Sequence, residues 1–191
     1  LTGKTLVGFA GRFVAEKGFD VLLRALPLLR ARVPDVHLVF AGEANVHYER
    51  FFEKCRPLVT AAGDRLVLLG LLRDPQRIAD FHAMCDVFAL PSRSEMMALV
   101  QVEAMLAGTP VVATDIPGAR VVVQETGYGL LCEPGSPESL ARTLVEALER
   151  RASLRPDRAR VARLFSPEES IGRNELLLGQ IIPVAPRRPS P

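Results

Sequence analysis

The chain has 191 residues, 48% of them hydrophobic and 24% charged, with a formal net charge of +2. That length suits one domain with a sizeable core and leaves room for an appended element. The near-neutral balance gives no basis for a nucleic-acid or other general polyanion partner, and no apolar run reaches membrane-spanning length.

Cys55, Cys85 and Cys132 are far apart and odd in number. They form neither a disulfide framework nor a metal-ligand spacing. Cys85 and Cys132 sit in or beside apolar runs and read as small core residues. With no secretory leader pattern recognised, the expected setting is reducing and cytoplasmic. A strand begins within a few residues of Leu1, so the sequence reads as part of a longer chain.

Thr5 to Ala10 is a short apolar run, predicted as a buried strand. Gly11-Arg12 and Lys17-Gly18 follow it, and a helix is predicted from about Phe19 to Arg32, with Pro27 as a possible kink. Val36 to Ala41 is the second strand. Val46 to Ala62 reads as helical, with Pro57 arguing for a kink or two short helices. Arg65 to Leu69 is the third strand. Pro75 to Met84 is a short helix, with Pro75 suited to its first turn.

Val87 to Leu90 is the fourth strand, a helix is predicted from about Met97 to Ala107, and Pro110 to Ala113 is the fifth strand. Residues 114–125 are assigned no element, and Thr126-Gly127-Tyr128-Gly129 reads as a loop. Gly129 to Cys132 is the sixth strand. Helices are predicted from Ser136 or Pro137 to about Arg151, then a short one to about Phe165. Ser166-Pro167-Glu168-Glu169 opens a last helix, to about Ile182. Residues 183–191 are rich in Pro and Arg and read as a disordered tail.

Strands alternate with helices, and strands apolar on both faces belong inside a parallel sheet. The pattern predicts an α/β, doubly wound, Rossmann-like sheet of about six strands. Residues 1–165 would form the domain, and 166–182 an added helix. Ligands in such folds sit beyond the carboxyl ends of the strands. Arg12, Leu71, Glu95 and Asp115 each follow a strand, so topology alone places them on one rim.

The stretch from Val87 to Gly108 carries the chemistry. Amides at the start of its helix would attract an anion. Glu95 and Glu103 would repel one, unless they hold hydroxyls. Together they suggest a ligand with both phosphates and hydroxyls, such as a nucleotide sugar. Arg12 and Lys17 would hold its diphosphate, Arg by forking onto phosphate oxygens and Lys as a point charge. The plain alternative is a pair of solvated surface charges.

Each other residue also has a plain reading. Glu95 could offset a helix dipole, and Glu103 could be a buried, locally paired acid within an apolar run. Met96, Met97 and Ala98 would offer amides while the Met side chains pack. His82 reads as structural, and His37 and His47 belong to no constellation. The arginines at 150, 151, 155, 158, 160 and 163 read as a solvated helical face, the alternative being a membrane or acceptor contact. No G-x-G-x-x-G follows the first strand, which argues against a nicotinamide dehydrogenase.

Taken in order, Gly11-Arg12, Glu16-Lys17-Gly18, Pro91-Ser92, Glu95, Glu103-Ala104-Met105 and Gly108-Thr109-Pro110-Val111-Val112 resemble the retaining GT-B glycosyltransferases of group 1. Gly129-Leu130-Leu131, Pro134-Gly135 and Leu140-Ala141 extend the resemblance to about residue 150. It implies the C-terminal, donor-binding domain of an enzyme whose N-terminal domain binds acceptor. Arg12 and Lys17 would bind the donor diphosphate, Glu95 the transferred sugar and Glu103 the ribose. Gly11, Met97, Ala98, Leu99 and Val100 would complete the donor site, the last four through backbone amides. The final helix would cross back onto the N-terminal domain. Neither metal nor cofactor is implied, the nucleotide sugar being a substrate.

The chain departs from that family at Met96-Met97-Ala98, where Gly-Phe-Gly is usual, and at Val121, where Glu is frequent. The expected function is the donor-binding half of a retaining transferase, with peripheral membrane contact possible in the full enzyme. Rival readings are a non-catalytic nucleotide-sugar-binding module and a related GT-B enzyme such as a sugar-nucleotide epimerase.

Overall fold

The computed structural model describes residues 2–44, 46 and 49–181. The tail expected at 183–191, Ile182 and His47 lie outside them.

Among the described residues six strands form one sheet: β1 (Thr5–Ala10), β2 (Val36–Ala41), β3 (Leu66–Gly70), β4 (Val87–Leu90), β5 (Val111–Thr114) and β6 (Gly129–Cys132). Their order is β3-β2-β1-β4-β5-β6, and every pairing is parallel. The strands run outward in both directions from the β1–β4 junction, which makes that junction the topological switch point.

Alternation along each strand builds two cores. On one face Val7, Phe9, Leu38, Phe40 and Val112 pack with α1 (Phe19–Arg30), α2 (Phe51–Lys54), α3 (Arg56–Ala62) and α7 (Pro137–Glu149). On the other, Leu6, Val39, Ala41, Phe88, Val111 and Ala113 pack with α4 (Pro75–Met84), α5 (Leu99–Leu106), α6 (Pro117–Thr126) and α8 (Arg158–Leu164). Successive strand residues face opposite ways, so both faces must be apolar. The outer strands depart from that expectation. β3 is an edge, with Leu68 and Leu69 about two-fifths exposed, and β6 is only partly covered.

Pro27 lies inside α1, which continues past it to Arg30. Around Pro57 the predicted single helix resolves into two short ones, α2 and α3. Residues 46, 49 and 50 are not helical, so helix starts later than the sequence suggested. Proline ring closure favours a first-turn position, and Pro57 occupies one in α3.

The unassigned stretch after β5 holds a full helix, α6. Pro117 sits in its first turn, and Gly118, Ala119, Val122, Val123 and Thr126 form its buried face. The start of α5 also differs from expectation: helix begins at Leu99, leaving Met97 and Ala98 in the loop before it.

The late arginines are not merely a solvated face. Arg151 pairs with Asp86, Arg158 donates to the Ala107 carbonyl at 2.6 Å, and Arg160 lies 5.6 Å above the Tyr128 ring. Arg158 and Arg160 brace α8 against the body of the domain, and Arg151 ties the turn after α7 to Asp86. Beyond it, α9 (Pro167–Ile181) buries none of its residues, and Ile171, Leu176, Leu177, Leu178 and Ile181 are exposed. Among the described residues no helix is long and apolar enough to cross a membrane.

Candidate functional site

The loop after β1 is held from below. Phe13 and Val14 are buried, and Phe13 packs against Phe9, Phe19, Phe40 and Phe52 at centroid distances of 5.2–6.0 Å. With those side chains committed to the core, Arg12 and Glu16 are left exposed and Lys17 half-buried. Gly18, at φ 67°, then turns the chain into α1. A Cβ on Gly18 would stand 1.9 Å from the Pro91 carbonyl oxygen, so this loop lies directly against the one after β4.

The two loops are joined by several bonds. Lys17 Nζ donates to Glu95 Oε1 at 2.8 Å, and Ser92 Oγ donates to the same oxygen at 2.8 Å. The Glu95 side chain is only 8% exposed, so its charge depends on those donors. Arg93 forks onto both oxygens of buried Asp20 at 2.8 and 2.9 Å, and its Nη1 also donates to the Ala15 carbonyl. The Arg93 amide donates to the Glu16 carbonyl at 2.7 Å. From the β5 side, Thr114 Oγ1 donates to the Ser92 carbonyl at 2.6 Å.

Beside this cluster lies a cavity of about 270 Å³ whose walls include Gly11, Arg12, Leu71, His82 and Glu103. Glu103 is not buried as its apolar neighbours suggested: its side chain is 54% exposed. It is locally paired, with Oε2 3.7 Å from His82 Nε2. The imidazole holds the Glu103 carboxyl below the usual carboxylate range, against the opposing effect of partial burial. His82 is 1% exposed, and among the described residues neither ring nitrogen has a hydrogen-bond partner.

The candidate residues therefore form two neighbouring groups at the switch point, Lys17 with Glu95 and Gly11, Arg12 and Glu103 around the cavity. Glu95 precedes the helix and is not a first-turn acid. The remaining four lie at the helix start. Ala98 is buried and Val100 half-buried in the core. Met97 and Leu99 line a separate groove with Val121 and the start of α9, and Met96 is 98% exposed. Two amides there are already used within the turn: Leu99 N–H donates to Met97 and Gln101 N–H to Ala98. Asp115, though on the same rim, pairs with Arg120 at 2.8 Å.

Residues 1–163 match the family described as glycosyl transferases group 1. The chain belongs to the group 1 glycosyl transferases. Curated relatives include the D-inositol 3-phosphate glycosyltransferases of Corynebacterium urealyticum, 36% identical over 148 residues, and of Rhodococcus erythropolis, 35% over 177. Those matches cover 75% and 88% of this chain but only 34% and 39% of the relatives. Sucrose-phosphate synthase from Thermosynechococcus elongatus superposes with a TM-score of 0.79 at 28% identity, covering 94% of this chain and 46% of that one. Anabaena HepE, solved in complex with UDP, superposes at 0.73 and 28%, covering 93% and 48%. The doubly wound sheet is thus the Rossmann-like α/β unit found in GT-B enzymes, and the chain spans well under half the length of these curated relatives.

Several residues that shape this candidate site were not singled out from the sequence. Arg93, Asp20 and Thr114 act across more than 20 residues of separation, so no local spacing reveals them. Gly118 is another. A Cβ there would lie 1.9 Å from the Glu95 carbonyl oxygen and 2.6 Å from that of Met96. A Pro-Gly pair opening a helix was the one available signal.

Proposed function

We propose that this chain is the donor-binding half of a retaining glycosyltransferase, moving a sugar from a nucleoside diphosphate to an acceptor with its anomeric configuration kept. The observation that carries the reading is the meeting of the Lys17–Glu95 pair with the cavity of Arg12 and Glu103 at the switch point. Family membership supports the reaction type.

In this reading the donor diphosphate lies between Arg12 and Lys17. Lys17 carries several N–H donors, and the Glu95 bond uses one, leaving others for phosphate oxygens. As the bond from the anomeric carbon to the diphosphate breaks, its electrons pass to a phosphate oxygen, while the acceptor hydroxyl oxygen bonds to that carbon and its proton goes to the departing diphosphate. Arg12 and Lys17 stabilise that growing charge from fixed positions. Glu95, steadied by Ser92 and Lys17 through Oε1, accepts from sugar hydroxyls with its other oxygen. Glu103 accepts from the ribose. Amides between Met97 and Val100 contribute to sugar and phosphate binding once the turn at Leu99 opens.

In this reading the acceptor binds to a separate N-terminal domain of the full enzyme, and α9 crosses onto that domain with its exposed apolar residues. HepE complexes with UDP and with UDP-glucose make uridine diphosphate the first donor base to try.

Calorimetric titration of the 191-residue chain with uridine, guanosine and adenosine diphosphates tests the reading. One base is expected to bind, and Arg12→Ala to weaken it about tenfold or more, the usual worth of a charged hydrogen bond. The chain alone should transfer sugar only marginally, and joining an N-terminal domain should restore transfer. Absence of binding by all three nucleotides, or enzyme-like turnover by the chain alone, would overturn it.

A further inference from the structure

Glu103 has an unusual neighbour. His82 is fixed on three sides: its ring packs edge-on against Phe81 and Phe88 at centroid distances of 5.0 and 5.1 Å, and its carbonyl accepts from Thr109 Oγ1 at 2.6 Å. The ring is 1% exposed, yet among the described residues both nitrogens lack a hydrogen-bond partner. Buried polar groups are normally satisfied, and the exceptions call for a reason. His82 is also one of the residues lining the cavity, together with Arg12, Glu43 and Glu103. Its Nε2 stands 3.7 Å from Glu103 Oε2, too long for a hydrogen bond but within ion-pair reach.

The two partners differ in freedom. His82 is locked in the core, whereas the Glu103 side chain is 54% exposed and can move. A small rotation of Glu103 would bring its oxygen onto the imidazole. The carboxylate only accepts, so Nε2 must carry the proton in that contact. With one oxygen held, the other would face the cavity in a fixed direction.

We infer that His82 is a positioning residue for the nucleotide, aligning Glu103 so that its carboxylate reads the ribose hydroxyls. This rests on the donor-site reading above and deepens it. The pair gives the site a means of distinguishing ribose from deoxyribose. A carboxylate aligned on a vicinal diol loses a charge-assisted hydrogen bond when one hydroxyl is missing.

The test uses the 191-residue chain and whichever of the uridine, guanosine or adenosine diphosphates binds most tightly. Its affinity is compared by calorimetry with that of the 2′-deoxy form and of inorganic pyrophosphate. The native chain is expected to prefer the ribonucleotide about tenfold or more. His82→Phe, which keeps a ring but removes both nitrogens, should bring that preference to within about twofold and leave pyrophosphate affinity unchanged. His82→Gln, which restores a donor, should recover part of the preference and serves if the Phe variant does not fold. A variant that keeps the full ribose preference overturns the inference, as does one that weakens nucleotide and pyrophosphate equally. Failure of the native chain to bind any of the three nucleotides would instead refute the donor-site reading, and the inference with it.

Discussion

Gly118 offers a sharp test of how the site is held, because two effects of one methyl group oppose each other. In a helix, Gly→Ala ordinarily stabilises by up to about 1 kcal/mol. Gly118 lies in the first turn of α6 and is buried. Its added Cβ would fall 1.9 Å from the Glu95 oxygen, 2.4 Å from the Glu95 carbonyl carbon and 2.6 Å from the Met96 oxygen. All three are backbone atoms, so no side-chain rotation relieves them. To reach even 3.0 Å, the Glu95 oxygen must retreat by about 1.1 Å.

Overpacking of this kind costs about 1–3 kcal/mol, so Gly118→Ala should not stabilise on balance and should destabilise by up to roughly 2 kcal/mol after the full helix gain. The larger effect should be on the site. A shift of about 1 Å in the residue that carries Glu95 is enough to cost about a hundredfold in turnover. Urea unfolding of the chain measures the first, and donor turnover in the joined two-domain enzyme measures the second. A variant more stable than the native chain and fully active would show that α6 does not press on the Glu95 loop as described.

Arg93→Ala should destabilise by about 1–3 kcal/mol in urea unfolding, below the usual loss for a buried pair because Arg93 is 40% exposed. Arg93→Lys should recover only part of that, since a single ammonium cannot fork onto both Asp20 oxygens; equal stability of the Ala variant would refute it. Burial pushes the Cys55 thiol up to about 11 and those of Cys85 and Cys132 to about 12, so at pH 8 all three should alkylate slowly in the folded chain and rapidly in denaturant. Rapid labelling of the folded chain would contradict that. Because His82 lowers the Glu103 pKa, the pair's contribution to stability is fully present above the unfolded carboxylate value, about 4.3, and is lost as pH falls through the lower folded value. Carboxyl NMR titration should place Glu103 below its ordinary range, and His82→Phe should move it upward.

The sheet was legible in the sequence because its inner strands are buried on both faces. Thr5–Ala10, Val36–Ala41 and Val87–Leu90 are predominantly apolar runs, with Thr5 and buried His37 the polar exceptions, and their limits coincide with those observed. The rim positions of Arg12, Lys17 and Glu95 followed from topology, since a parallel sheet puts every such loop at one end. The helix α6 was not legible. Its Pro117-Gly118 opening and Val121-Val122-Val123 run carry loop and strand preferences, which burial of Val122 and Val123 against the sheet overrides.

What only the tertiary structure decided is how those rim residues are paired. Lys17 meets Glu95 across 78 positions of sequence, and Arg93 meets Asp20 across 73. Glu103 was placed on a helix from its sequence, but its exposure and its His82 neighbour depend on where α4 and α5 lie over the sheet. Local patterns record which residues must be covered. Which charge answers which is settled by packing, because attraction between partners so far apart in sequence acts only once the cores have drawn their loops together.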